Sequence, residues 1–399
     1  MTDYRVLSTP DELLAAVDAL SAGVGPVAVD AERASGFTYS QRAYLIQMYR
    51  RGAGVFLFDP PALGRMDALQ EAIGDEEWVL HAASQDLACL REVGLDPSRI
   101  FDTELAARLL GLPKVGLGAV VEDLLGIHLA KEHSAADWST RPLPQSWLVY
   151  AAKDVELLVD LRDRMEEMLI EARKTRIARE EFAATLARLP KLAPTDPWRK
   201  LSGIHSLRGP RPLAVARELW LARDAFARER DIAPGRLIPD SSILAVARNV
   251  PTSVGQLSGR RDFTGRASRG EVERWWEAIE RGRTTDDLPT PTRPAVETLP
   301  PPRAWGDRNP PADARLKAGR AVVTEIAELL SLPVENLLTP EILRRLAWSP
   351  PEPVDTDTVA AELLRAGARP WQIEATAGSI ATAFVEAAQA PSDGAETAS

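Results

Sequence analysis

The chain has 399 residues, 45% hydrophobic and 27% charged, an ordinary globular composition with room for two or three separately packed cores. No apolar run reaches membrane-spanning length, no basic flank precedes an apolar block at the N-terminus, and the lone Cys89 excludes an internal disulfide or a multi-cysteine metal site. The net charge of −10 speaks against a nucleic-acid partner only until it is divided: residues 1–195 balance at −9, residues 196–289 at +4 and residues 290–399 at −5. An acidic first part beside a basic middle suits a chain that holds cations in one place and grips phosphate in another, although a solvated basic face gives the same balance. The cytosol is the default location.

Residues 1–195 read as α/β. Strand-like runs rich in β-branched and aromatic residues fall at 27–32, 44–50, 55–59 and 78–81. The first three leave no room for helices between them, so an antiparallel meander is expected. Helical periodicity follows at 61–73, 84–93, 103–110 and 117–125, then a long amphipathic stretch from 145 to 190. A mixed sheet flanked by helices accounts for this order. Residues 190–212 read as a linker, and helical patterning resumes from 213 to 281. Proline crowds residues 288–311, which predicts an extended spacer. A second, smaller helical unit spans 312–390, and residues 391–399 form a polar tail. The expected units are thus 1–195, 209–285, a linker at 286–311, and 312–390.

Asp30 and Glu32 end the first strand-like run, two residues apart and therefore on one face. Like charges that close persist best around a cation, but a strand end in solvent tolerates them too. Ser84 reads as the N-cap of a helix with Asp86 in its first turn, where a carboxylate also suits the helix dipole. Tyr150 and Asp154 stand four apart on one helical face. His81 ends a strand and reads as structural. No Gly-rich phosphate loop is present, which argues against an ATP-driven activity.

In order and setting, these residues resemble the ribonuclease D family, exonucleases of the Asp-Glu-Asp-Asp group. The resemblance is carried by Asp30-Ala31-Glu32, by His81-Ala82-Ala83-Ser84-Gln85-Asp86-Leu87 and by Tyr150-Ala151-Ala152-Lys153-Asp154-Val155. Leu45-Ile46-Gln47, Phe101-Asp102-Thr103, Asp137-Trp138 and Arg141-Pro142-Leu143 are further landmarks. Tyr150 fits the tyrosine branch of the group. The sequence departs at Arg33, where the family usually has an apolar or aromatic residue, and in the following Ala34-Ser35-Gly36-Phe37. Residues 211–283 resemble the helical domain shared by RecQ-type helicases and ribonuclease D (HRDC), through Leu219-Trp220, Arg223-Asp224, the turn from Pro234 to Pro239 and Ser242-Ile243-Leu244. The unit at 312–390 looks like a degenerate relative of it.

The resemblance implies a ribonuclease H-like fold followed by two small all-α domains, and two divalent cations, Mg²⁺ or Mn²⁺, held by Asp30, Glu32, Asp86 and Asp154. Two such ions, about 4 Å apart, suit an all-oxygen cage and activate water for phosphodiester hydrolysis. Asp30 would bridge both, and Tyr150 would orient the attacking water. The implied activity is 3′→5′ trimming of single-stranded RNA ends, with tRNA precursors as candidate substrates and DNA as an alternative. A non-catalytic nucleic-acid-binding scaffold is the rival from another class. Gln47, His133 and Arg141 are candidate nucleic-acid contacts. Arg260, Arg261, Arg266 and Arg269 form a second set, with Phe263 among them as a stacking residue, unless this is only a solvated arginine loop. No membrane partner is expected, and a monomer is the default.

Overall fold

The computed structural model describes residues 4–129, 135–189, 194–290 and 299–389. Six strands form one mixed sheet: β1 Val6–Leu7, β2 Val24–Arg33, β3 Ala43–Arg51, β4 Gly54–Phe58, β5 Glu77–Leu80 and β6 Arg99–Asp102. Their spatial order is β1-β4-β3-β2-β5-β6. The meander β2-β3-β4 is antiparallel as expected, whereas β5 and β6 add to β2 in parallel. The edge strands β1 and β6 were not expected: β1 has two residues, and β6 has only Ile100 and Phe101 between Arg99 and Asp102.

Helices cover both faces of the sheet, which is why β3 is buried almost end to end and β2 is buried through its middle. Helix Gln145–Glu156 lies across β2, β3 and β4, and helix Leu158–Glu171 across β2 and β5. The long amphipathic stretch is three helices rather than one. The chain turns at Leu157, and again at Arg173, which takes a left-handed φ of 57°, before helix Thr175–Leu186 packs on β6. The expected helix at 61–73 likewise divides into Pro60–Leu63 and Asp67–Ile73.

Two further hydrophobic cores follow the sheet. The second gathers around Trp198, Leu219, Phe226, Phe263 and Trp275, and the third around Trp305, Leu316, Trp371 and Phe384. Both take in residues that composition assigned to linkers. Trp198 inserts into the second core from within the expected linker 190–212, and Trp305, fully buried, inserts into the third from within the proline-rich spacer. Proline density thus misled at 302–308, where short helical turns deliver one large aromatic anchor.

Charged groups tie the sheet to the third core. Glu181 is buried; Arg369 donates to its two oxygens at 2.5 and 2.9 Å, and the Trp371 indole N–H donates at 2.8 Å. The Lys174 ammonium donates to the carbonyls of Leu109 and Ser331 at 2.6 and 3.1 Å. Glu181→Ala should leave a guanidinium and an indole N–H unanswered at this junction. We expect a loss of about 2–4 kcal/mol, measured as an earlier urea midpoint in tryptophan fluorescence, with Glu181→Gln milder.

Candidate active site

The site forms where β2 ends. Asp30 pairs in register with Gln47 of β3, and Glu32 with Leu45; a bulge follows between Glu32 and Arg33. Strand alternation puts both carboxylates on the face covered by helix Gln145–Glu156. That helix presents Tyr150 and Asp154 one turn apart, and one oxygen each from Asp30, Glu32 and Asp154 lie within 4.8 Å of one another. Asp86 joins from the far side. Together with Arg33, His81 and Tyr150 these carboxylates line a cavity of about 340 Å³.

Asp86 arrives differently from the expected pattern. Ser84 caps nothing; a 3₁₀ turn, Ala83–Gln85, comes first, and Asp86 itself is the residue preceding helix Leu87–Glu92. Its carboxylate makes no cap bond, so it remains available to the cavity. The turn is held by Asp102, a buried residue that the sequence offered only as a landmark of the resemblance, without a role. Asp102 accepts the backbone N–H groups of Ala82 and Ala83 at 3.0 and 2.9 Å and of Glu104 and Leu105 at 3.0 and 3.2 Å. These bonds keep Ala82 in a left-handed conformation with φ 62°. The Thr103 hydroxyl donates to Leu80 O at 3.2 Å, so its 2.9 Å contact with His81 Nδ1 is a bond the imidazole donates. Burial pushes His81 down to about 4, and the ring is neutral at physiological pH.

Burial dominates the electrostatics. It raises all four carboxylates above their usual range, and repulsion from Asp30 adds to the effect at Glu32, Asp86 and Asp154. Asp154 is pushed up to about 7 by burial and by the charge on Asp30, against a hydrogen bond from the Tyr150 hydroxyl that pulls it down. Burial and the same carboxylates push the Tyr150 phenol far up, so it stays protonated. The only cation among the described residues lining the cavity is Arg33, 3.8 Å from Asp86. An all-oxygen donor set with so little compensating charge fits a hard divalent cation.

The expected nucleic-acid contacts fare unevenly. Gln47 is fully buried; its amide donates to Asp30 at 3.3 Å, and its carbonyl oxygen has no partner among the described residues. It orients a carboxylate and cannot reach a nucleotide. Arg141, although exposed, gives its donors to the protein, to both oxygens of Asp59 at 2.7 and 3.0 Å and to the carbonyls of Trp138, Thr140 and Tyr44. Arg260 is spent likewise on Asp262, Asn249 O and Ala245 O. Phe263 is not a stacking platform, because it is wholly buried in the second core. Arg261 and Arg266 are exposed, and so is Arg269, which gives one bond to Arg260 O. His133 lies outside the described residues.

Comparison with known proteins agrees with this architecture. Residues 4–170 match the 3′-5′ exonuclease family, residues 213–279 the HRDC domain family, and residues 298–384 a 3′ to 5′ exonuclease C-terminal domain family. The fold and the acidic cavity therefore belong to a 3′-5′ exonuclease hydrolase. Ribonuclease D of Cronobacter turicensis is 33% identical over 256 residues, covering 63% of this chain and 69% of that one. The chain is a member of the ribonuclease D family. A crystal structure of a protein from Bifidobacterium adolescentis superposes with a TM-score of 0.86 at 38% identity, covering 96% of this chain and 97% of that one. Escherichia coli RNase D superposes with a TM-score of 0.68 at 26% identity, over 96% of this chain and 99% of its own, and is described as an exoribonuclease involved in structured RNA processing.

Replacing Asp102 with Ala should orphan four backbone N–H groups next to the cavity. We expect a cost of about 2–4 kcal/mol and faster amide exchange at Ala82 and Ala83, read by hydrogen–deuterium exchange, with Asp102→Asn closer to the wild type.

Proposed function

We propose that this protein is a 3′→5′ exoribonuclease that hydrolyses RNA phosphodiester bonds with the help of two divalent cations, Mg²⁺ or Mn²⁺, and trims the 3′ ends of structured RNAs such as tRNA precursors. The observation that carries the proposal is the convergence of Asp30, Glu32 and Asp154 within 4.8 Å in a cavity closed by Asp86. The preference for RNA rests on membership of the ribonuclease D family.

In this reading Asp30, Glu32 and Asp154 would hold one cation, and Asp86 would help to hold a second. When bound, such a pair supplies an acidified water and neutralises charge on the departing oxygen. The remaining work belongs to the chain. Gln47 fixes the rotamer of Asp30 from the neighbouring strand. Tyr150, donating to Asp154 and kept protonated by burial, orients the attacking water rather than removing its proton. The tryptophans Trp138 and Trp147, whose rings lie 5.3 Å apart, back the Tyr150 ring; Trp138 stands 6.5 Å from it. Arg261, Arg266 and Arg269 supply positive charge to the strand at a distance from the cavity.

End-labelled single-stranded RNA, single-stranded DNA and a tRNA precursor, each with Mg²⁺, with Mn²⁺ and with chelator, test the proposal directly. A metal-dependent ladder from the 3′ end of RNA is expected. Degradation of DNA in preference to RNA, or no metal-dependent cleavage at all, overturns it. Asp30→Ala and Asp154→Ala should each lower turnover by about 10³-fold or more, with unchanged circular dichroism. Tyr150→Phe should lower kcat while leaving Mn²⁺ affinity within about twofold, because the lost hydroxyl orients water and holds no cation.

A further inference from the structure

The loop that joins β2 to β3 borders the cavity at one end and is gripped by the second core at the other. It leaves β2 at the bulge beside Arg33 and re-enters the sheet at Ala43, the residue paired with Arg33. Arg33 and Ser35 line the cavity. Within the loop, the backbone N–H groups of Phe37 and Thr38 donate to Ala34 O at 3.0 and 3.1 Å. The Thr38 hydroxyl bridges Ala34 O and Ser40 O, and Ser35 donates to Gln41. This bonding makes the loop a stiff hoop rather than a slack connection.

The far side of the hoop is held by Asp231, which follows helix Pro210–Arg230. Its two carboxylate oxygens accept four bonds from one short stretch: Ser40 N at 2.8 Å, Ser40 Oγ at 3.1 Å, Arg42 Nη2 at 3.1 Å and Tyr44 Oη at 3.1 Å. Asp231 does so from a left-handed backbone, φ 48°, which is unfavourable for most side chains. The same helical unit adds Ala233 N to Phe37 O at 2.9 Å and Arg236 Nε to Gly36 O at 2.7 Å, with the Arg236 guanidinium 4.0 Å over the Phe37 ring.

Arg33 is the side chain this hoop places. Its guanidinium stands 3.8 Å from Asp86, beyond a tight charge-assisted bond of about 2.7–2.9 Å, and is 27% exposed. It makes no hydrogen bond among the described residues, so its planar fork of donors stays open toward the cavity, a geometry matched to a phosphodiester. The position is also one where the family usually has an apolar or aromatic residue.

We propose that Asp231 is a positioning residue for the exonuclease cavity, acting through the loop 34–42 to hold Arg33 at the cavity lip as a contact for the phosphodiester backbone of the incoming strand. The inference rests on the reading of the cavity as a site for RNA. It gives the helical unit a part in building the active-site wall, beyond any affinity of its own for nucleic acid.

Wild type, Arg33→Ala, Asp231→Ala, Asp231→Asn and the double variant Arg33→Ala/Asp231→Ala, all in the full chain, test it with two readouts. The first is the Kd for a fluorescent single-stranded oligoribonucleotide in chelator, from anisotropy. The second is kcat and KM on the same strand with Mg²⁺. Arg33→Ala and Asp231→Ala should each weaken Kd and raise KM about tenfold, the size of one charge-assisted contact. In Asp231→Ala, which leaves every cavity side chain in place, the change should fall on KM, with kcat within about twofold. The double variant should be no worse than Arg33→Ala, since both changes remove the same contact. Asp231→Asn, which retains an acceptor and suits a left-handed backbone, should recover most of the loss. Tyr44→Phe removes one bond to Asp231 at constant shape and should give a smaller rise of the same kind, so the test survives even if Asp231→Ala folds poorly. Losses that multiply in the double variant overturn the inference, as do unchanged Kd and KM in folded Arg33→Ala, in folded Asp231→Ala or, should that variant fold poorly, in folded Tyr44→Phe. A wild type that binds the strand without cutting it defeats the exonuclease reading while Kd still decides this one, and a wild type that does neither defeats both.

Discussion

Four carboxylates crowded at the end of β2, with burial and mutual repulsion opposing their ionisation, are the constraint around which the exonuclease part is arranged. Such a cluster does not form unless stiff elements impose it. Asp30 and Glu32 ride on a strand with neighbours on both sides, so neither can drift without breaking a ladder. Asp154 rides on a helix packed across three strands. Asp86 sits at a turn whose strained Ala82 is held by Asp102. The unfavourable electrostatics are thus set against backbone hydrogen bonds and core packing, and a bound cation would relieve them.

A second theme is that single ionisable side chains carry the joints between cores. Asp231 gathers four donors from the β2–β3 loop, and Glu181 takes Arg369 and the Trp371 indole. Lys174 reaches the carbonyls of Leu109 and Ser331. A buried or half-buried charge with each bond answered tolerates little sliding, because any shift leaves an unpaired group behind. Apolar contact alone would permit many near-equivalent dockings. Placing one such joint on the loop beside Arg33 makes the geometry of the cavity lip depend on the helical unit.

Much of the exonuclease part was legible in the chain because it is built from periodic patterns. The meander declared itself by three β-branched runs too close together for helices, and Tyr150 with Asp154 by their four-residue spacing. Elements without a period were missed. The two-residue β1 lacks the length for alternation to register, and β6, no shorter than β5, has only Ile100 and Phe101 between two charged residues. Trp198 and Trp305 lay in stretches whose proline content argued for spacers, yet one buried indole is enough to draw such a stretch into a core.

Three side chains expected to contact nucleic acid are hydrogen-bonded within the protein instead. Gln47, Arg141 and Arg260 have the donors that phosphate or a base would accept, and the sequence cannot say whether a carboxylate or carbonyl of the protein claims them first. What the sequence by itself determined is which residue types share a strand or helix face, since that follows from backbone periods of two and 3.6. Only the tertiary structure decided which faces meet: that Asp86 comes free of its helix to face Asp30, that Asp59 consumes Arg141, and that Asp231, 189 residues from Arg42, closes on the loop beside the site. Those pairings depend on how separate elements dock, and the chain encodes docking through summed packing and charge rather than any local pattern.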